Sequence, residues 1–154
     1  MNIRARFFTV VLLLFVAEGV NAFQCNVVTT PVNFGFYDMF SVTALDSTGT
    51  ITVTCNSPPQ NPIVPARLDL TAGSSGSFAQ RRMTSVSGGG LNYNLFNDKA
   101  KTVILGDGSG GSVYLSNVIT KAAPWNITVY GRIPARQNVT PGVYSDSITA
   151  TILW

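Results

Sequence analysis

Short segments in which apolar and polar residues alternate constrain this sequence more than any other feature. In residues 50–55, Ile51, Val53 and Cys55 alternate with threonines, which is the period-two pattern of a half-buried β-strand. Similar segments, separated by clusters of turn-forming residues, occupy residues 66–70, 91–96, 125–130 and 148–154. We find no convincing helical pattern after residue 22. The spacing of the segments predicts one all-β sandwich domain of about seven to nine strands.

The first 22 residues have the features of a signal peptide. Arg4 and Arg6 precede an apolar run over residues 7–17, and residues 20–22 offer the small side chains that a signal peptidase reads. The run is shorter than the roughly twenty apolar residues that a membrane span needs. We therefore expect cleavage after Ala22, export without a stable membrane span, and one folded domain over residues 23–154.

The two cysteines, Cys25 and Cys55, both lie in the predicted exported domain. An even pair of cysteines in an exported chain is most simply explained by a disulfide. Two free buried thiols are the alternative. Two cysteines cannot complete an ordinary zinc site without histidine, and the sequence contains no histidine. We expect neither a metal ion nor another cofactor.

Few side chains of the predicted domain could perform acid–base catalysis. A serine nucleophile activated by histidine is excluded, and the glutamate of the sequence, Glu18, lies in the leader. The remaining acidic residues are Asp38, Asp46, Asp69, Asp98, Asp107 and Asp146. A hydrolase would need two of them to converge in one cleft. Most lie in apparent turns, where aspartate commonly hydrogen-bonds its own backbone, so we expect no enzymatic activity and no catalytic residues.

Positive charge is also sparse. The formal net charge of the whole chain is +3, and Arg4 and Arg6 of the leader contribute to it. Arg81 and Arg82 form a basic pair in the domain that could grip an anion, although a solvated strand face is the simpler interpretation. Nucleic-acid binding therefore has little support in the sequence.

Aromatic residues at alternating positions suggest a second kind of function. Trp125 and Tyr130 lie in one predicted strand and would offer an aromatic surface to carbohydrate or another surface ligand. This hypothesis treats the protein as a self-complete secreted β-sandwich. The competing interpretation is that the aromatic side chains pack in the core, where they contribute a large apolar area.

The last residues of the sequence form a strongly patterned strand. After the turn at Pro141 and Gly142, alternation over residues 148–154 places Ile148, Ala150, Ile152 and Trp154 on one face. Such a strand must find a neighbour for its backbone edge, or present that edge to another chain. The sandwich is then either one strand short, with the missing strand supplied by a partner, or complete with this strand inside a sheet.

Seven segments carry a resemblance to a known family. They are Cys25 with residues 32–38 (VNFGFYD), and residues 49–55 (GTITVTC), 81–83 (RRM), 91–96 (LNYNLF), 106–111 (GDGSGG), 129–135 (VYGRIPA) and 141–146 (PGVYSD). No single segment is very specific. Together, in this order and with the two cysteines, they resemble the spore coat protein U domain, which is shared with subunits of archaic, Csu-type chaperone–usher pili. The resemblance covers essentially the whole chain after residue 22.

The resemblance implies an immunoglobulin-like, pilin-type sandwich that lacks its last strand. In such proteins a periplasmic chaperone fills the gap first, and a segment of another pilus subunit replaces it during export through an outer-membrane usher. The resemblance thus implies a structural subunit of a fimbria or surface coat on the cell surface. It also implies that Ile148, Ala150, Ile152 and Trp154 form one wall of the groove that accepts the partner strand.

One departure from the family pattern concerns the donor segment. Pilins that polymerise carry a dozen or more residues before the first cysteine, whereas cleavage after Ala22 leaves Phe23 and Gln24 in front of Cys25. Two residues span at most about 7 Å, which cannot replace a strand. We therefore expect a subunit that accepts a donor strand but does not offer one, as suits a tip or terminal position or a coat protein outside any fibre.

Overall fold

The computed structural model describes residues 24–56, 63–120 and 123–154, and their regular structure is almost entirely β. The strands are β1 (Gln24–Thr30), β2 (Leu45–Asn56), β3 (Ile63–Leu70), β4 (Arg81–Ser85), β5 (Gly90–Phe96), β6 (Leu115–Thr120), β7 (Trp125–Ile133), β8 (Tyr144–Ser145) and β9 (Ala150–Leu153). Within the described residues, no helix is long and apolar enough to cross a membrane. The predicted signal peptide and its cleavage site lie outside the described residues.

The strands form two antiparallel sheets. The larger sheet has the order β1–β2–β7–β5–β4–β8, and the smaller has the order β6–β3–β9. In the long ladder between β2 and β7, Ile51 lies opposite Ile127. Apolar and polar residues alternate along both strands, so one face of the larger sheet is apolar and packs against the smaller sheet. This arrangement confirms the predicted all-β, immunoglobulin-like sandwich.

The core lies between the two sheets. Val53 of the larger sheet and Leu68 and Ile119 of the smaller sheet have almost no exposed surface. All three belong to one continuous cluster of buried apolar side chains. Burying a side chain of this size stabilises the fold by about 1.5–3 kcal/mol, so the alternating pattern is the main source of stability.

The sandwich has two ends, which we name by their contents. At the disulfide end, Cys25 lies opposite Cys55 in the register of β1 and β2. At the loop end, Leu45 lies opposite Ile133, where β2 begins and β7 ends. Because the strands are antiparallel, the connections over residues 31–44, 85–89 and 134–143 all leave the sandwich at the loop end.

A disulfide joins the first two strands. Cys25 and Cys55 are bonded, their Cα atoms are 4.0 Å apart, and 30 positions separate them in the sequence. This confirms the predicted pairing. Closing a loop of this length should stabilise the protein by about 3–4 kcal/mol in the chain-entropy model.

The chain crosses the inner face of the larger sheet after β1. Val32 and Phe34 lie against Gly49 of β2 and Gly131 of β7. A Cβ atom on Gly131 would stand 2.6 Å from Cγ1 of Val32 and 2.7 Å from Cζ of Phe34. Only glycine leaves room for this close approach. Residues 31–37 therefore act as part of the second layer at the loop end, where the smaller sheet does not reach.

The expectation that Arg81 lies on a solvated strand face is wrong. Its side chain has no exposed surface. The guanidinium donates hydrogen bonds to Oδ1 of Asn94 at 2.8 Å and to the backbone oxygens of Leu105 and Thr71 at 2.7 and 3.0 Å. Burial lowers the pKa of Arg81, and these acceptors compensate for the lost hydration. Arg82, the next residue, is exposed as the alternation requires.

Candidate functional site

We call the two halves of the sandwich nearest these ends the disulfide half and the loop half. An open groove lies between the two layers in the loop half. It encloses about 1020 Å³. Protein interiors are normally packed with few voids larger than a water molecule, so a space of this size is a feature of the fold. The floor consists of Ile51, Met83, Leu91, Tyr93, Leu95, Val129 and Ile133. The rest of the lining comes from residues 29–40, Thr50, Leu70, residues 139–148 and Ala150.

The floor of the groove is the apolar inner face of the larger sheet. Leu91, Tyr93 and Leu95 of β5 point inward because they occupy alternate positions of the strand. Met83 of β4 and Val129 of β7 continue the same surface. All five side chains belong to the core cluster and are at most 9% exposed, so the floor of the groove is apolar.

The first wall is the crossing segment after β1. The ring of Phe34 packs edge-on against Tyr93, with 6.1 Å between the ring centroids. Oη of Tyr37 donates a hydrogen bond to the backbone oxygen of Pro134 at 2.9 Å and accepts one from the backbone N–H of Gln137 at 2.8 Å. These contacts fix the wall against the larger sheet and against the loop that follows β7.

The second wall is the chain between β8 and β9, and the half-buried carboxylate of Asp146 fixes it. Oδ2 of Asp146 accepts a hydrogen bond from Oη of Tyr93 at 2.8 Å, and Oδ1 accepts one from the backbone N–H of Ser74 at 2.9 Å. Burial, together with the hydrogen bond to Asp146, raises the pKa of Tyr93. A Cβ atom on Gly73, whose φ is +74°, would collide with the Asp146 carboxylate and with Ile148. No local sequence pattern indicates this network, because its members are distant in the chain.

The free side of β9 borders the same region. β9 pairs with β3 through Leu68 opposite Ile152 and Leu70 opposite Ala150. The backbone N–H of Thr71 donates to the oxygen of Thr149 at 3.0 Å. In an antiparallel pair these bonds alternate, so Ala150 and Ile152 direct their backbone groups away from β3. In the part of the chain that the structure describes, no strand lies on that side of β9.

The four residues predicted to form a groove wall separate into three positions. Ile148 and Ala150 both line the groove. Ile152 is buried in the core cluster. Trp154 is 60% exposed and borders a separate, shallow depression on the smaller sheet, beside Val118. The structure thus brings two of the four to the groove.

The two aromatic residues considered as ligand contacts do not share a surface. Trp125 lies on the inward side of β7 at the disulfide end and packs against the core cluster. Tyr130 is five residues further along the same strand, so it points to the opposite face. The structure separates these side chains and gives no common aromatic platform.

The aspartates are engaged in separate local contacts. Asp46 pairs with Arg132 at 2.8 Å and with Lys101 at 3.0 Å. The hydrogen bond from Arg132 is the largest cause that lowers the pKa of Asp46 to about 2. Asp69 pairs with Arg67 at 2.6 Å. The carboxylates of Asp38, Asp98 and Asp107 accept hydrogen bonds from their own loops, and that of Asp146 accepts them from Ser74, Tyr93 and Ser147. Among the described residues, no group of three or more histidine, cysteine or acidic side chains could hold a metal ion.

Comparison with known proteins places the chain in a family. The family model of the Spore Coat Protein U domain matches residues 12–151. The chain belongs to the spore coat protein U domain family. A similar curated protein is Protein U of Myxococcus xanthus, which is 32% identical over 128 residues that cover 79% of this chain and 70% of Protein U. The resemblance read from the seven sequence segments is thereby confirmed.

A solved structure with the same fold comes from a pilus system. It is the chaperone–tip adhesion subunit pre-assembly complex CsuC–CsuE, from the archaic chaperone–usher Csu pili of Acinetobacter baumannii. The match has a TM-score of 0.58 and 20% sequence identity, and it covers 86% of this spore coat protein U domain chain. It covers 40% of the matched chain, so this chain spans less than half of that one. At this identity the likeness concerns the fold.

Proposed function

We propose that this protein is an exported, non-enzymatic structural subunit of a chaperone–usher fimbria or surface coat, and that a strand from another protein fills its groove. The observation that carries the proposal is the deep apolar groove between residues 31–37 and β9. Membership of the spore coat protein U domain family and the fold shared with a chaperone–usher pilus structure support it.

A donated strand would make two kinds of contact. Its backbone would pair with the edge of β9 that faces away from β3. Ala150 and Ile152 direct their backbone N–H and C=O groups towards that edge. Its alternate side chains would fill the space above Leu91 and Tyr93. Each large apolar side chain buried in this way contributes about 1.5–3 kcal/mol, so a few such residues would stabilise the subunit substantially.

Two successive occupants of the groove follow from this function. A periplasmic chaperone would hold the subunit after export from the cytoplasm, and a strand from another subunit would replace it at an outer-membrane usher. The solved relative comes from a complex of a chaperone with a tip adhesion subunit, which supports a chaperone as a partner. The final location would be the cell surface.

The position of β1 favours a subunit that accepts a strand without donating one. Gln24 is already the first residue of β1, it lies opposite Asn56, and its backbone N–H donates to Oδ1 of Asn56 at 2.6 Å. With cleavage after Ala22, Phe23 alone would precede the folded sandwich, and one residue spans less than about 4 Å. Mass spectrometry of the exported protein should therefore give an amino terminus at Phe23. A terminus near residue 10 would contradict the acceptor-only role.

The groove can be tested with two variants of β9. Ala150→Arg places a charge in the groove, whereas Thr151→Arg places the same charge on the exposed outer face of the same strand. The protein is purified from producing cells, and its associated chaperone or subunits are identified by mass spectrometry. We expect Ala150→Arg to lose these partners and Thr151→Arg to retain them, with the disulfide formed in both. Equal retention by both variants would contradict the proposal.

A further inference from the structure

The larger sheet ends at β1, and no described strand pairs with the outer edge of β1. In the sheet order β1–β2–β7–β5–β4–β8, β1 has β2 on one side. An edge strand carries a row of backbone N–H and C=O groups with which another strand can pair. β1 is seven residues long and its register with β2 is continuous, so no bulge turns this edge away from a second strand.

The register shows which residues of β1 direct their backbone groups outward. Cys25 and Cys55 lie opposite each other with 4.0 Å between their Cα atoms, which is the narrow spacing of a pair that exchanges no backbone hydrogen bonds. The N–H of the preceding residue, Gln24, points towards β2, where it donates to a side-chain oxygen at 2.6 Å. Because the two kinds of pair alternate, Cys25, Val27 and Thr29 direct their N–H and C=O groups away from β2. None of the described residues forms a hydrogen bond with these outward groups.

The other sheet edges of the described residues are occupied, short or partly blocked. β9 borders the groove, and β8 has two residues. In β6, the backbone N–H of Val118 donates to Oδ1 of Asn117 at 2.8 Å, so a side chain of the same strand takes one of its donors. β1 contains no proline and no charged residue, which are the usual protections of an edge. Its edge is therefore open to another strand.

The outward groups of β1 are complementary to themselves. Cys25 and Thr29 lie two residues on either side of Val27. If a second copy lies antiparallel across a two-fold axis at Val27, Val27 pairs with its own equivalent, and Cys25 pairs with Thr29 of the second copy. Each of these pairs exchanges two backbone hydrogen bonds, because all three residues direct their groups outward. The two strands satisfy each other, and the pairing closes at two copies.

The side chains of this edge also fit a second copy. Val28 is 57% exposed and is the one large apolar side chain that the described strands of the larger sheet leave exposed. Across the two-fold axis it lies opposite Asn26 of the second copy and diagonally beside Val28 of that copy. Neither β1 nor residues 50–56 of β2, which pair with it, contain a charged residue. Two copies therefore approach without repulsion between like charges.

We propose that β1 pairs with β1 of a second copy of this chain, so that two larger sheets join into one continuous sheet. The inference goes beyond the proposed function and does not depend on it, because β1 and β8 lie at opposite edges of the larger sheet and the proposed groove strand pairs with β9. One strand from each copy buries a small area, so we expect a weak dimer with a dissociation constant of about 10–100 µM. Such a dimer would link neighbouring subunits in a coat, where the local concentration is high.

Charge substitution at Val28 tests the pairing in the protein purified from producing cells with its groove partner bound. Thr29 and Thr30 are the residues of β1 that reach the groove lining, so Val28 reports on the edge alone. Val28→Lys and Val28→Glu each place like charges beside each other across the two-fold axis, whereas an equal mixture of the two variants places opposite charges there. Val118→Lys is the matched control, because Val118 is 53% exposed on an edge strand of the smaller sheet. Sedimentation equilibrium measures the mass and the dissociation constant.

We expect the unmodified protein and the control to double in mass as the concentration rises. Each Val28 variant alone should raise the dissociation constant at least about fivefold, and the equal mixture should return it to within about twofold of the unmodified value. The groove partner should stay bound to all variants, so a failure of the pairing leaves the proposed function untouched.

Three results would overturn the inference. The first is no doubling in mass up to about 500 µM protein. The second is the same dissociation constant for Val28→Lys and Val118→Lys. The third is an equal mixture that associates as weakly as each Val28 variant alone, since the effect would then not come from a two-fold contact.

Hydrogen exchange gives an independent measurement. The N–H of Val27 points away from β2, whereas the N–H of Val28 points towards it. Between about 10 and 1000 µM protein, exchange at Val27 should slow at least about fourfold, because the dimer covers this group, and exchange at Val28 should stay slow at both concentrations. An exchange rate at Val27 that does not depend on concentration would contradict the pairing of β1 with a second copy.

Discussion

The disulfide half and the loop half of the sandwich use the same alternating pattern with opposite results. In the disulfide half, Val53 of the larger sheet and Leu68 of the smaller sheet belong to one core cluster and have no exposed surface. In the loop half, the same inner face of the larger sheet forms the floor of an open groove, and Phe36 nearby is 89% exposed. The strand pattern is equally apolar in both halves. The difference is the second layer, which packs closely against the larger sheet in one half and leaves the groove in the other.

Under the proposed function, this contrast separates residues that stabilise the fold from residues that would bind a partner. Changes in the disulfide half should act on the free energy of unfolding of the isolated protein. Changes at the rim of the groove should act on assembly. Substitutions in each region test where the boundary between them lies.

The largest effect is expected from the disulfide. Replacement of Cys25 and Cys55 by alanine should lower the free energy of unfolding by about 3–4 kcal/mol, because the unfolded chain gains the freedom of an open loop. Denaturant titration measures the loss. Reduction of the unmodified protein should give a similar loss. A change below about 1 kcal/mol in the free energy of unfolding would show that the stability of the fold does not depend on this bond.

The second-largest loss of stability is expected from substitution of the buried Arg81. Arg81→Met leaves the acceptors of Asn94, Leu105 and Thr71 without their donor, and we expect a loss of about 3 kcal/mol in the free energy of unfolding. Arg82→Met, on the exposed side of the same strand, is the control and should change stability by less than about 0.5 kcal/mol. Equal effects of the two substitutions would mean that the hydrogen bonds of Arg81 do not stabilise the fold.

Tyr93 lies at the boundary between the two regions. Tyr93→Phe removes the hydrogen bond to Asp146 and should cost about 1–2 kcal/mol. Because Asp146 fixes the second wall, limited proteolysis of this variant should also cut residues 144–149 faster than in the unmodified protein. Tyr130→Phe, on the outer face of the larger sheet, should change neither quantity. If residues 144–149 are cut at the same rate in both proteins, the hydrogen bond of Tyr93 does not fix the second wall.

The smallest effect concerns the ion pairs of Asp46. Its pKa is about 2 in the folded protein against a usual 3.8, so the stabilisation is present above pH 4 and is lost as the pH falls towards 2. The side chain is 40% exposed, so solvent screening limits the contribution to less than about 1 kcal/mol. Asp46→Asn should be slightly less stable than the unmodified protein at pH 7, and the difference should shrink as the pH falls through 2. A difference that grows in acid would contradict this assignment.

The sequence predicts the fold of this protein well because its strongest signals are local. Alternation along residues 50–55 and 125–130 specifies strands, and two cysteines in an exported chain indicate a disulfide. Neither requires knowledge of distant contacts. The order of the strands in the two sheets does require it, and the pattern alone does not provide it.

The site was only partly predictable. Ile148 and Ala150 line the groove, and alternation determines the face on which they lie; their contact with a partner strand stays a prediction. Trp154 occupies a different depression, because a pattern does not show where the neighbouring layer ends. The burial of Arg81 was missed because its acceptors are a backbone oxygen ten residues away, another 24 residues away and the amide of Asn94.

Backbone hydrogen exchange at β9 tests the central claim most directly. The N–H groups of Ala150 and Ile152 point away from β3, towards the position proposed for the donated strand. In the isolated exported chain these two amides should exchange rapidly, whereas in the complex purified from producing cells they should exchange at least about a hundredfold more slowly. Equal and strong protection of both amides in the isolated monomer would contradict the claim that the groove receives a strand from another protein.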